Sequence, residues 1–185
     1  MENRKKVPLK NKLAYGIGTG GGNVFSQIAA AFLLNYYTDT ALIGAGAIAT
    51  MFLVCRVFDG ITDLLMGGIV DKTSTKLGKA RPWLIASAPL SFLGIVLLMN
   101  VPMGLGENGK LVYAYITYIF MSCIVYTIYG ISNTALLPLM THDKDDSTML
   151  ATFSALGNNI IGLIAGSLIT PLVLNLGWKT SSIIL

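Results

Sequence analysis

The sequence predicts an all-α fold, a polytopic bundle of helices that spans a membrane. Three observations support this prediction. Hydrophobic residues make up 54% of the 185 residues and charged residues only 12%, whereas soluble domains carry about 25% charged residues. The mean hydropathy is +0.67. The apolar residues also fall in long runs, and a helix needs roughly 20 such residues to cross the hydrocarbon core of a bilayer.

The apolar runs form a single transmembrane domain, 1–185, with five complete spans and the start of a sixth. Short connections rich in Gly, Asn, Asp and Pro separate the runs, as expected of turns. Because Leu185 lies within an apolar run, we expect a truncated sequence. The predicted spans are about 13–37, 42–70, 83–102, 111–138, 150–176 and, in part, 178–185.

The thirteen basic residues predict the orientation. Five precede the first span and four lie in the connection after the second. With the N-terminus in the cytoplasm, ten basic residues lie inside and two outside, the usual bias of multi-pass proteins. The net charge of +4 therefore reflects topology and indicates no nucleic-acid surface. The first run is too long for a cleaved signal peptide, so we expect it to remain as a membrane span. We also expect a multi-pass protein of the bacterial inner (plasma) membrane.

Five glycines crowd the first span. Gly16, Gly18 and Gly21 match a dinucleotide-binding fingerprint, but no strand precedes them, so the match is weak. Small residues at these spacings predict close packing against another helix. The alternative is a locally loosened helix that lines a pathway.

The second span carries three charged residues in an otherwise apolar helix, Arg56, Asp59 and Asp63. Each costs about 2.5–3.5 kcal/mol at the centre of a span, so they must face protein or water. Asp59 and Asp63 are four residues apart and share one helix face. Two close carboxylates cannot both carry charge cheaply unless a cation lies between them; otherwise one binds a proton. This pattern predicts a Na⁺ or H⁺ site, and the alternative is a packing salt bridge to Arg56.

The connection after the second span is a candidate gating loop that contains Gly67, Asp71 and Arg81. Asp71 ends a helix, where a negative charge opposes the helix dipole. It therefore needs a partner, such as Lys72, Arg81 or the end of another helix. A conformational latch is one interpretation of this loop.

The sequence does not predict an enzyme. It has no nucleophile–base set and no cluster of metal ligands, and its one histidine, His142, lies in a predicted cytoplasmic loop. Cys55 and Cys123 lie in apolar runs and fit small packing residues. We therefore expect no cofactor beyond a coupling cation.

Five short motifs occur in this sequence. They are R-x-x-D-x-x-x-D (56–63), G-x-x-x-D (67–71), G-K-x-R-P-W (78–83), K-L-A-Y-G (12–16) and Y-Y-T-D (36–39). Together they resemble the glycoside–pentoside–hexuronide:cation symporter family, a melibiose-carrier-like branch of the major facilitator superfamily. The resemblance implies twelve helices in two six-helix halves, of which this sequence is most of the N-terminal one. It also implies a sugar bound near the middle of the membrane and coupled to Na⁺, Li⁺ or H⁺.

The family's cation ligands match Asp59, Asp63 and Thr127, and a fourth position, often Asn, is Thr62 here. The sugar site departs from the family pattern. Asn23 and Gly130 replace two carboxylates, Gly22 and Thr134 replace a lysine and a tryptophan, and no basic residue occurs at 152–155. Sugar hydroxyls could bind to Asn23, Tyr126, Asn133 and Asn158 or Asn159, and the alternative for each of them is a hydrogen bond that only joins helices.

The function implied is secondary active transport, a sugar:cation symport by alternating access. The partners implied are a small-molecule sugar or glycoside, a monovalent cation and the lipid bilayer. The alternative is a protein with a transporter fold that does not transport, either a sensor or an inactive fragment.

Overall fold

The computed structural model describes residues 6–184, so Arg4, Lys5 and Leu185 lie outside the described residues. All secondary structure within 6–184 is helical, which confirms the all-α prediction. The α-helices are α1 (Leu9–Ile28), α2 (Ala45–Lys72), α3 (Arg81–Leu98), α4 (Glu107–Ile119), α5 (Thr127–Met140) and α6 (Lys144–Ile184).

Three π-helical segments extend these helices. Ala29–Leu33 and Tyr36–Thr40 follow α1 and extend the first span to Thr40. Phe120–Tyr126 joins α4 to α5, so the fourth span is one helix from Glu107 to Met140. A π-helix bonds residue i to i+5, and such segments are frequent at functional sites.

Within the described residues 6–184, three helices are long and apolar enough to cross a membrane, Arg81–Leu98, Glu107–Met140 and Lys144–Trp178. Their outer surfaces are strongly apolar. Leu163, for example, is 75% exposed, as expected of a side chain that faces lipid tails. The first and second spans remain predictions.

The long helix α6 bends at Gly177, whose φ of 74° lies in the left-handed region that favours glycine. The predicted boundary between the fifth and sixth spans falls at this residue. Beyond the bend, Trp178 packs against Phe32 and Tyr36, with ring centroids 6.4 and 5.3 Å apart. The bend thus brings the start of the sixth span onto the end of the first.

Helices α1 and α6 pack backbone to backbone through glycines. A Cβ on Gly16 or Gly20 would clash with the carbonyl groups of Phe153 or Gly157, and a Cβ on Gly157 would clash with Gly16. The predicted close packing is therefore confirmed at these positions. It does not hold for Gly18, where a Cβ would meet open space.

A buried ion pair joins the start of α1 to the start of α6. Lys12 Nζ donates to Asp146 Oδ1 at 2.6 Å, and the two side chains are 6% and 5% exposed. The N–H of Val7 donates to the other carboxylate oxygen at 2.7 Å. Lys12 and then Val7 hold the pKa of Asp146 below its ordinary value of 3.8. Lys12 is thus a structural residue as well as one of the basic residues from which the orientation is predicted.

We expect Gly157→Ala to lower the thermal unfolding midpoint of the protein purified in detergent. The added methyl group must push α1 and α6 apart, and overpacking costs about 1–3 kcal/mol. Gly166→Ala on the same helix is the matched control, because a Cβ there meets nothing within 4 Å. Equal midpoints for the two variants would contradict the close packing.

The Lys12–Asp146 pair predicts a pH-dependent stability. Because the folded pKa of Asp146 is depressed, the pair stabilises the protein above pH 3.8, and this contribution is lost as pH falls through the lower folded value. Asp146→Asn should therefore lower the unfolding midpoint at pH 7, and its difference from the unmodified protein should narrow in acid.

Asp145→Asn is the control for that measurement, since Asp145 lies in the same helical turn but is exposed. The double variant Lys12→Met, Asp146→Leu should recover much of the loss, because replacing both members of a buried pair leaves no isolated charge. If the unfolding midpoints of Asp146→Asn and the unmodified protein differ by the same amount at pH 7 and at pH 3, the ion pair is not the cause of that difference.

Candidate functional site

Helix α2 and the fourth span pack along one another, and three predicted cation residues, Asp59, Thr62 and Thr127, make contacts across their interface. A cavity of about 580 Å³ opens beside them and is also lined by the end of the first span. This volume is within the range of small-molecule sites. Its polar lining residues are Ser26, Arg56, Asp59, Asp63, Tyr118, Ser122, Tyr126, Thr127 and Thr134.

Asp59 is the half-buried charge of the site, with a side chain 21% exposed. Ser122 Oγ, on the fourth span, donates to both of its oxygens, at 2.9 and 3.1 Å. Arg56 lies farther away, with Nη1 3.9 Å from Asp59 Oδ2, and its side chain is 84% exposed. An exposed pair at this distance contributes about 0–1 kcal/mol, so a packing salt bridge does not account for Asp59.

Thr62 and Thr127 meet across the same interface, with their Oγ atoms 3.3 Å apart. Thr62 Oγ also contacts the carbonyl oxygens of Phe58 and Asp59, each at 3.1 Å. Thr127 is buried and is the first residue of α5. The hydroxyls that the family resemblance implied as ligands are therefore adjacent.

Asp63 lies one turn beyond Asp59 on α2, and both line the cavity. Asp63 is exposed toward it, whereas Asp59 is held against the fourth span. Among residues 6–184 no group of three or more His, Cys, Asp or Glu could hold a metal ion. A cation bound here would therefore rely on two carboxylates and the neighbouring hydroxyls, the oxygen ligands that hard cations prefer.

Asn23 and Tyr126, two of the candidate sugar residues, are in contact. Tyr126 Oη donates to Asn23 Oδ1 at 3.2 Å, and Asn23 Nδ2 donates to Asn158 Oδ1 at 2.9 Å. This chain of polar groups links the first, fourth and fifth spans. Gly130 lies next to it on the cavity wall, and a Cβ there would meet nothing within 4 Å.

Asn133 lies apart from the other two. Its Oδ1 accepts from Thr19 Oγ at 3.3 Å, and its backbone oxygen accepts from Tyr15 Oη at 3.3 Å. It lines two further cavities, of about 460 and 520 Å³, and neither of them includes Asp59. The structure thus gives Asn133 a role in joining α1 to α5.

The candidate gating loop is folded by polar contacts of its own. Trp83 Nε1 donates to Thr73 Oγ1 at 2.9 Å, and Thr75 Oγ1 donates to the carbonyl of Gly78, whose φ is 93°. Asp71 is exposed, and no ion pair within residues 6–184 includes it. The expected pairing with Lys72 or Arg81 is absent in this conformation, and a gating role for Gly67, Asp71 and Arg81 remains a prediction.

Ser122 is the site residue that the sequence analysis missed. An isolated serine in an apolar run carries no signal of its own. The available clue is its spacing of five residues from Thr127, which matters only if a π-helix lies between them.

Within residues 6–184, a bundle of helices with apolar outer faces and a cavity lined by two aspartates is typical of membrane transport proteins. The chain belongs to the MFS/sugar transport protein family, whose model matches residues 14–183. The resemblance found in the motifs is confirmed by this match.

Three relatives illustrate the family. The chain is 34% identical over 172 residues to the glucuronide carrier protein homolog of Escherichia coli, which covers 92% of this chain and 37% of the relative. It is 33% identical over 167 residues to the inner membrane symporter YicJ of the same organism, covering 90% and 36%. It is 29% identical over 180 residues to the isoprimeverose transporter of Lactiplantibacillus pentosus, covering 97% and 37%. The chain therefore spans about a third of the length of these relatives.

Proposed function

We propose that this chain is part of a secondary active transporter that carries a sugar (a glycoside, pentoside or hexuronide) together with Na⁺ or H⁺. The observation that supports this most directly is the position of Asp59 and Asp63, side by side on the wall of a cavity large enough for a sugar. The names of the relatives, a glucuronide carrier homolog and an isoprimeverose transporter among them, agree with this substrate class.

The proposed mechanism is alternating access with the cation as the coupling element. A cation bound by Asp59, Asp63, Thr62 and Thr127 neutralises charge that otherwise resists burial when the cavity closes. The cation thereby favours the state that can reorient. If it raises sugar affinity, the sugar must raise cation affinity by the same factor.

Asn23 and Tyr126 are the proposed sugar contacts, because Tyr126 lines the cavity and its Oη donates to Asn23 Oδ1 at 3.2 Å. Hydroxyl and amide groups can exchange their mutual hydrogen bond for bonds to sugar hydroxyls. Asn133 is a weaker candidate, since it lines other cavities. We further propose that the protein lies in the inner membrane with its N-terminus in the cytoplasm, an orientation that the distribution of Lys and Arg supports.

The substitutions Asp59→Asn and Asp63→Asn test the cation site. Each should abolish accumulation of the sugar against its gradient in cells that express the complete protein. The amide keeps the size of the side chain but removes the charge that attracts the cation. Glu107→Gln, at the start of α4 and outside the cavity, is the control and should accumulate the sugar normally. Normal accumulation in both aspartate variants would rule the site out.

Thr62→Val tests the hydroxyl ligands. It should raise the half-saturating cation concentration by about tenfold, since a polar contact to a charged group contributes roughly 1.5–3 kcal/mol. Thr50→Val on the same helix is the matched control, because Thr50 Oγ1 is exposed and donates to the carbonyl of Gly46. The measurement is initial uptake as a function of cation concentration, and a similar change in both variants would contradict a ligand role for Thr62.

A panel of labelled α- and β-glycosides, pentosides and uronides identifies the cargo. Uptake by cells that express the complete protein should follow a Na⁺ or pH gradient for one class of the panel. If the protein is in the membrane and takes up nothing from the panel, transport of these sugars is excluded and the sensor alternative gains support.

A further inference from the structure

Ser122 makes the closest contact to Asp59, yet neither the family motifs nor the charge pattern assigns it a role. Its Oγ lies 2.9 and 3.1 Å from the two carboxylate oxygens, so it donates to both at once. Arg56 reaches only to 3.9 Å and is exposed. Ser122 is therefore the better partner of the carboxylate.

The backbone of the fourth span explains how Ser122 reaches this position. Ser122 and Thr127 are five residues apart, and in an α-helix, at about 100° a residue, they would lie roughly 140° apart around the axis. The segment Phe120–Tyr126 is instead π-helical, and an i to i+5 pattern brings residues five apart nearly onto one face.

Both hydroxyls consequently face α2. Thr127 meets Thr62, and Ser122 meets Asp59, three residues earlier on the same helix. A fourth span that was α-helical throughout could present only one of the two hydroxyls to α2. The π-helical segment thus places Ser122 and Thr127 opposite the two polar positions of α2.

We propose that Ser122 is a positioning residue of the cation site, which holds the Asp59 carboxylate against the fourth span on the side that carries Thr127. This inference rests on the proposed function, because it assumes that Asp59 binds the coupling cation. The carboxylate of an aspartate in an open cavity can rotate among several directions. A hydroxyl that donates to both oxygens fixes the direction of the carboxylate before the cation arrives. The side chain therefore loses less conformational entropy when the cation binds.

The first test is the cation dependence of sugar uptake by the complete protein in proteoliposomes, with Na⁺, Li⁺ and H⁺ gradients each used as the driving cation. Ser122→Ala should raise the half-saturating concentration of the effective cation by about tenfold and leave the maximal rate at saturating cation nearly unchanged. Ser122→Thr keeps the hydroxyl and should restore most of the affinity.

Ser132→Ala is the matched control on the same span. Ser132 is fully buried, and its Oγ has no hydrogen-bond partner among the described residues. It should leave the half-saturating concentration unchanged. If Ser122→Ala behaves like Ser132→Ala, or if Ser122→Thr is as impaired as Ser122→Ala, the positioning role is wrong.

A second measurement does not depend on transport. Dicyclohexylcarbodiimide modifies carboxyl groups in membrane proteins, and mass spectrometry of the digested protein gives the rate at Asp59. Ser122→Ala should increase that rate several-fold, because the carboxyl group loses its donor, whereas Ser132→Ala should not.

The two measurements separate the inference from the function on which it rests. Uptake that is normal in Ser122→Ala, with unchanged labelling of Asp59, overturns the positioning role and leaves the symport proposal intact. Labelling that responds to Ser122→Ala, in a protein that transports no sugar with any of the three cations, supports the contact and overturns the symport proposal.

Discussion

Two negative charges on one apolar helix impose the main constraint on this structure. Asp59 and Asp63 cannot face lipid at an acceptable cost, so α2 must turn that face toward another helix and an open cavity. The fourth span supplies the facing surface, with Ser122 and Thr127 opposite Asp59 and Thr62. The π-helical segment and the cavity both lie beside these carboxylates and give them polar surroundings.

Much of the fold could be predicted from the sequence, because in a membrane protein a long apolar run predicts a spanning helix. The break at Gly177 was also predictable, since glycine tolerates positive φ. The π-helical segments were not, because no residue type specifies them and they depend on the partner helix. Lys12 shows a second limit. Counting charges placed it with the cytoplasmic basic residues, and only the tertiary structure reveals its burial against Asp146.

The residues of the candidate site also differ in whether the sequence could predict them. Asp59 and Asp63 stand out because charge is rare in an apolar helix, and Thr127 came from the family resemblance alone. Ser122 could not be found, since a hydroxyl among apolar residues is usually just packing between helices. The glycines of the first span gave a mixed result. Gly16 and Gly20 pack against α6, whereas Gly18 and Gly21 border a cavity, and the difference depends on which face α6 covers.

The pairing of α1 with α6 has a consequence for biosynthesis. Lys12 and Asp146 are 134 residues apart in the chain, and ribosomes add roughly 5–20 residues per second. The first helix therefore waits on the order of ten seconds in the membrane before its partner is made. During that interval its glycine face and its lysine have neither the helix nor the carboxylate that they contact in the folded protein. Helix α1 thus completes its packing against α6 only after the three spans between them have been inserted.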